Sequence, residues 1–291
     1  MGWLSGPPAT GDPAEIGMGK RDTYAAKLGR LVAEDRAGLE AFLLKHSGLP
    51  GRWANVEFAA AFADVVERAG ADDELWAKLK GWASLDYDNA PTNSKHEFLP
   101  FCAVQAMGAL YCASDDATRD EIFAQLRAAA RSERWRTREA AAFGLQRIGE
   151  RDFGILREII ATWLERASRL ERRMILAALA HPPMLKGPGG SLAAEFALEV
   201  AGEVLAGVRK LTKAGRSDDE FKALSKGLGY AISVFVAAAP EEGFRFLRKW
   251  AEADDMDVKK IVAANIRKSR LARRFPEECA EVGEILSWSS A

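Results

Sequence analysis

Between Asp86 and Glu97 the chain reads Asp-Tyr-Asp-Asn-Ala-Pro-Thr-Asn-Ser-Lys-His-Glu, with Trp82 and Phe98 on either side. Asp86, Asp88, Asn89 and His96 are residue types that move protons or hold polar ligands. A loop would place them at the surface beside aromatic rings. The same composition also makes an ordinary turn, because Asn, Asp, Pro and Ser satisfy backbone groups locally. The segment is therefore either a small acid/base or ligand site, or a connector.

A second group is cationic. Arg134, Arg136, Arg138 and Arg147 fall in one window, Arg169, Arg172 and Arg173 in a second, and Lys259, Lys260, Arg267, Lys268, Arg270, Arg273 and Arg274 in a third. A row of such side chains along a groove would neutralise phosphates, release counterions and bind in a salt-dependent way. Alternatively, each cation pairs with an acid on a neighbouring element and holds the fold. Trp135 lies between Arg134 and Arg136. Its ring could stack on a base or a partner side chain, or pack internally with its N–H on a carbonyl. The candidate binding set is Trp135, Arg136, Arg138, Arg172, Arg173, Lys259, Lys260 and Arg267.

Other chemistries lack their residues. His46, His96 and His181 have no ligand-type partner one helical turn away, and Cys102, Cys112 and Cys279 show no CxxC spacing. The expectation is no metal, no cofactor and a reduced, cytoplasmic setting. Walker A, GxSxG, HExxH and strand-coupled GxGxxG patterns are absent, so no residue is assigned a catalytic role. Lys186-Gly187-Pro188-Gly189-Gly190 reads as a linker. The formal net charge of -1 gives no global attraction to polyanions, but residues 1–100 hold 11 Lys and Arg against 15 Asp and Glu, so positive charge is concentrated beyond them.

The elements that must position these groups are helices. The 291 residues are 48% apolar and 29% charged, and rich in Ala, Leu, Arg and Glu, which favours helix over sheet. Residues 1–21 carry Gly6, Pro7, Pro8, Gly11, Pro13, Gly17 and Gly19 and read as a mobile leader without signal-peptide character. No window of 18 apolar residues predicts a membrane span. Residues 22–291 are expected to form a single domain. Helical periodicity is broken near residues 47–52, 86–95, 114–115, 149–152, 182–190, 214–218 and 239–242 by Gly, Pro, Asp, Ser and Asn.

This punctuation predicts antiparallel pairs at 23–46 with 54–70, 72–84 with 96–113, 116–131 with 134–149, 152–166 with 168–181, 191–213 with 218–239, and 241–253 with 256–274. A closing helix follows at 276–288. Ser168-x-x-Glu171 and Ser217-x-x-Glu220 read as capping boxes, and Pro240 before two glutamates suits a first helical turn. Second helices recur about every 40 residues, a helical-repeat period. Arg138, Ala141, Ala142 and Leu145 match Arg172, Ile175, Leu176 and Leu179, and again Lys259, Val262, Ala263 and Ile266. Each set puts a basic residue ahead of the apolar stripe that an inner repeat helix buries.

The run Trp135-Arg136-Thr137-Arg138-Glu139-Ala140-Ala141-Ala142-Phe143-Gly144-Leu145 resembles the second helix of a HEAT repeat. Asp257 to Lys268 resembles the same element, and Pro240-Glu241-Glu242-Gly243 followed by Trp250 resembles the helix before it in bacterial HEAT-repeat proteins. The resemblance covers the chain from about residue 115. It implies an all-α, right-handed α-solenoid of about six antiparallel HEAT-like pairs, whose concave face binds a protein or other macromolecule without catalysis. A more distant resemblance, to the DNA-alkylation-repair HEAT glycosylases, implies duplex DNA as the partner and alkylated-base release as the activity.

Overall fold

A break after Arg151 separates two compact units, one ending there and one beginning at Asp152. The computed structural model describes residues 24–187 and 189–288, and the expected leader at 1–21 lies outside the described residues. Every regular element among the described residues is helical, with no strand.

The first unit holds α1 (24–33), α2 (Arg36–His46), α3 (Val56–Ala69), α4 (Asp73–Ala83), α5 (Phe98–Leu110), α6 (Asp116–Ala130) and α7 (Trp135–Arg151). Its centre is α5, in which every residue is buried. The sequence Phe-Leu-Pro-Phe-Cys-Ala-Val-Gln-Ala-Met-Gly-Ala-Leu is apolar on all sides, so the helix can be stable only when enclosed. It packs against α3, α4, α6 and α7, while α6 also packs on α7. Contact with α7 is closest where two glycines meet: a Cβ on Gly108 would stand 2.4 Å from the Gly144 Cα. Only side chains that end at hydrogen permit that approach.

The second unit holds α8 (Phe153–Trp163), α9 (Arg169–Leu179), α10 (Pro182–Lys186), α11 (Gly190–Arg209), α12 (Asp219–Ala238), α13 (Pro240–Ala251), α14 (Met256–Ile266), α15 (Ser269–Ala272) and α16 (Pro276–Trp288). Here α12 is central and touches α9, α11, α13, α14 and α15. By length and composition α12 could cross a membrane, yet 61% of its apolar window is buried inside the fold. Asn265 joins α14 to α12 from within. Its Oδ1 accepts the Ser233 N–H at 2.8 Å and its Nδ2 donates to the Leu228 carbonyl at 3.0 Å.

Most expected boundaries hold, with four corrections. The break expected at 182–190 contains a short helix, α10, whose prolines stand in its first turn. The helix expected over 23–46 is two helices, because Asp35 leaves helical geometry and its carboxylate caps α2 through the Gly38 N–H. The helix expected over 256–274 is also two, since Lys268 is extended (φ -69, ψ 133) and starts α15. The box expected at Ser217 is replaced by a single cap at Asp218, whose carboxylate accepts the Phe221 N–H at 2.8 Å. A carboxylate one residue closer to the helix outcompetes the hydroxyl, and Ser217 instead donates to the Lys213 carbonyl. The Ser168–Glu171 box and the Pro240 first turn form as read.

Candidate binding surfaces

In the first unit the arginines of the α7 window turn inward. Arg134 is 5% exposed and donates to the Leu85, Asp86 and Ala90 carbonyls at 2.6, 3.2 and 3.0 Å. It therefore holds the 86–97 segment shut from below, and burial pulls its pKa down. Arg136, 3% exposed, pairs with the fully buried Glu97 at 2.9 Å and donates to the Gly51 carbonyl at 3.0 Å. Its guanidinium lies 4.4 Å from the Trp135 ring centroid, so that half-buried indole stacks on its own neighbour. Arg147 bonds Asp64 and the Ala60 carbonyl on α3.

Arg138 and Arg172, which the sequence pattern matched, do the same work at two places. Arg138 donates to the Ser132 and Glu133 carbonyls at 2.6 and 2.9 Å, and Arg172 to the Ala167 and Leu164 carbonyls at 3.0 and 3.4 Å. Each donates to carbonyls of the connection between the preceding helix and its own. Arg173 lays its stem beside Gly227 of α12. Lys259, the basic residue of the third matched set, is 7% exposed.

Other cations link elements through N-cap carboxylates. Arg36 grips Asp72 of α4 through both nitrogens at 2.6 and 2.7 Å. Arg169 reaches Asp218 of α12 at 2.7 Å, and Arg216 reaches Asp255 of α14 at 2.7 Å. The arginine hydrogen bonds hold Asp72 down at about 2 and lower Asp255 as well.

Asp86, Asp88, Asn89 and His96 are exposed, and among the described residues no hydrogen bond from the side chain of His96 or Asp88 reaches the others. Asp86 spends one carboxylate oxygen on the Asn89 N–H and Nδ2, both at 2.9 Å, which lowers its pKa. Asp88 and His96 stand in solvent, while Glu97 faces the core and accepts the Asn93 N–H at 2.7 Å. Among the described residues no three His, Cys, Asp or Glu side chains gather as metal ligands.

Open cationic surface lies in the second unit, along α12, α14 and α15. One groove, about 440 Å³, is lined by Arg216, Lys222, Lys226, Lys260 and Lys268 around Phe221 and Ile261. A second, about 790 Å³, is lined by Lys186, Arg270, Arg273 and Arg274 over Leu185, Val234 and Ala237. No described carboxylate lines either. Tyr230 links them: Lys268 Nζ and Arg270 Cζ lie 5.9 and 4.4 Å from its ring centroid. Lys222, Lys226, Tyr230 and Val234 follow at one-turn spacing, so one face of α12 runs through both grooves. Of the expected binding set only Lys260 lines this surface, while Arg267 is exposed and lines neither groove. The residues that sequence reasoning missed, Lys222, Lys226 and Tyr230, were visible as that four-residue spacing on an otherwise apolar helix.

A further groove, about 1110 Å³, lies between α11 and α13. Six carboxylates line it (Glu195, Glu199, Glu203, Glu242, Glu252, Asp254) against three cations, Arg209, Arg245 and Lys249, with Leu198, Gly202, Ala206, Phe246 and Trp250 as the apolar part. Comparison with known proteins finds no family model and no curated protein that matches this chain.

Proposed function

We propose that the chain is a non-catalytic binding module built from HEAT-like antiparallel helix pairs in a right-handed α-solenoid, and that the α12–α14–α15 face of its second unit binds the phosphate backbone of duplex DNA. The neighbour pattern within each unit supports the repeat reading. In the first unit α3, α5 and α7 pack in succession, and in the second α9, α12 and α14 do so; α4, α6, α11 and α13 lie alongside α5, α7, α12 and α14 respectively. That is how stacked second helices share a core.

The observation that carries the partner is the absence of described carboxylates from two adjoining grooves that nine cations line. Within this surface Lys222 pairs with Asp219 at 2.8 Å and Lys260 with Asp257 at 3.4 Å, both on the solvent side. Exposed pairs of this kind contribute little and open readily for a stronger anion. Arg216, gripped by Asp255 and Asp257, is a structural cation. Tyr230, with Lys268 and Arg270 against its ring, fixes where the side chains at the start of α15 stand. Phosphate contacts of this type position a protein on nucleic acid without reading its sequence.

The test is charge reversal. The triple variant Lys226→Glu, Lys268→Glu, Arg273→Glu should lose duplex binding at 50 mM salt by about 100-fold or more. The control triple Arg30→Glu, Lys45→Glu, Lys95→Glu changes net charge equally on exposed positions of the first unit. It should bind like wild type to within about threefold. Equal loss in both triples would mean that only net charge matters, and the assigned face would be wrong.

A further inference from the structure

We infer that the α11–α13 groove docks a cationic, amphipathic helix of a partner protein, independently of the nucleic-acid face. Glu195, Glu199 and Glu203 are spaced one helical turn apart along α11 and all line the groove. At 1.5 Å rise per residue their carboxylates recur about every 6 Å. A partner helix lying along α11 with Lys or Arg at its own i, i+4 and i+8 positions matches that spacing. Its neighbouring stripe of apolar residues then faces the α13 side.

The apolar part is shaped to receive it. Gly202 faces Phe246 and Trp250, and a Cβ there would already lie 3.5 Å from the Phe246 ring. Glycine at this point of α11 leaves a slot against two rings. The rings themselves are 6.1 Å apart and tilted by 51°, so the slot has aromatic walls. The groove, about 1110 Å³, runs between two helices and leaves room for a third laid along it. Charge complementarity selects the occupant: carboxylates outnumber cations two to one in the lining. Lys249 among those cations lies 5.9 Å from the Trp250 ring centroid. The acidic groove and the cationic face thus sit on different helices of one unit, each inviting the charge that the other repels.

The probe is a fluorescein-labelled sixteen-residue peptide with Lys-Leu-Ala-Ala repeated, titrated with the full chain and read by anisotropy. Saturable binding is expected. A peptide with Ser in place of every Leu, equal in charge, should bind at least about tenfold more weakly, one power of ten in Kd. The double variant Glu199→Lys, Glu203→Lys, at exposed positions, should lose about tenfold. Gly202→Leu, which fills the slot and leaves every carboxylate, should lose as much, with circular dichroism showing the fold retained. Equal affinity for the Leu and Ser peptides would overturn the proposal by reducing it to bulk charge. Affinity unchanged in both variants would place the site elsewhere. Self-association that Glu199→Lys, Glu203→Lys abolishes would assign the groove to a second copy of this chain and overturn the partner named here. None of these outcomes touches DNA binding, which the Lys226, Lys268 and Arg273 reversals read separately.

Discussion

Arginine does two kinds of work in this chain, and the difference is made by acceptors that sequence does not display. Arg134, Arg136 and Arg138 look like an anion-binding run, yet backbone carbonyls and Glu97 receive their hydrogens. The Arg136–Glu97 pair is buried on both sides, 4% and 0% exposed. Arg136→Met should therefore destabilise the fold by about 3–5 kcal/mol by stranding a buried carboxylate. Adding Glu97→Leu should recover much of that loss, and urea denaturation of the two singles and the double would show it. Additive losses would contradict a coupled pair. Asn265 is a neutral counterpart. Asn265→Ala leaves the Leu228 carbonyl and the Ser233 N–H without that partner inside the fold, and should cost about 1–3 kcal/mol. Trp135 was legible as an aromatic beside cations, but not as an aromatic whose stacking partner is its own neighbour.

At the scale of elements, the sequence was far more readable. Helix starts that rest on local chemistry, such as Ser168 with Glu171 or proline at residue 240, form where the pattern put them, because a cap is satisfied within four residues. Breaks at residues 34–35 and 267–268 were missed because no Gly or Pro marks them, and an aspartate or lysine becomes a helix start only when the chain must turn. Contacts between helices were invisible for the same reason. Gly108 reads as one more small residue until Gly144 is found against it. Gly108→Ala should push α5 off α7 and cost about 1–3 kcal/mol as overpacking, whereas Gly81→Ala, with open space around it, should be neutral or stabilising. Thermal denaturation compares the two directly, and equal effects would refute the close approach.

The N-cap carboxylates that join helices set the acid limb of stability. Asp72 and Asp255 have folded pKa values below the ordinary carboxylate range, through arginine hydrogen bonds. Their contribution is complete above the unfolded value of about 3.9 and is lost as pH falls through the folded values, about 2 for Asp72. His46, wedged among Tyr24, Phe42 and Phe58, is lowered by burial and then by Lys45. A depressed histidine also contributes above its unfolded value, about 6.5, so its contribution is lost first on acidification. Urea midpoints should therefore fall in two stages, below about pH 6.5 and again below about pH 4. His46→Phe should remove the first stage and Asp255→Asn should shrink the second. A flat profile down to pH 4 in wild type would remove His46 from this account.

For the whole molecule, a net charge of -1 conceals segregation by layer. In the second unit the α11–α13 groove is acidic and the α12–α14–α15 face is cationic. Composition suggested a charge drift along the chain. It could not show that Arg134, Arg136, Arg138 and Arg172 are spent on carbonyls and a buried carboxylate while Lys222, Lys226, Lys268, Arg270, Arg273 and Arg274 share one face. The central claim is that this face neutralises phosphates, and the salt dependence of duplex binding measures that most directly. A plot of log Kobs against log salt should fall with a slope of about -0.9 for each phosphate neutralised, near -4 to -6 for wild type if most of the open cations engage. Lys226→Glu, Lys268→Glu, Arg273→Glu should bring it toward zero. A wild-type slope near zero, or a steep slope unchanged in that variant, would contradict the assignment.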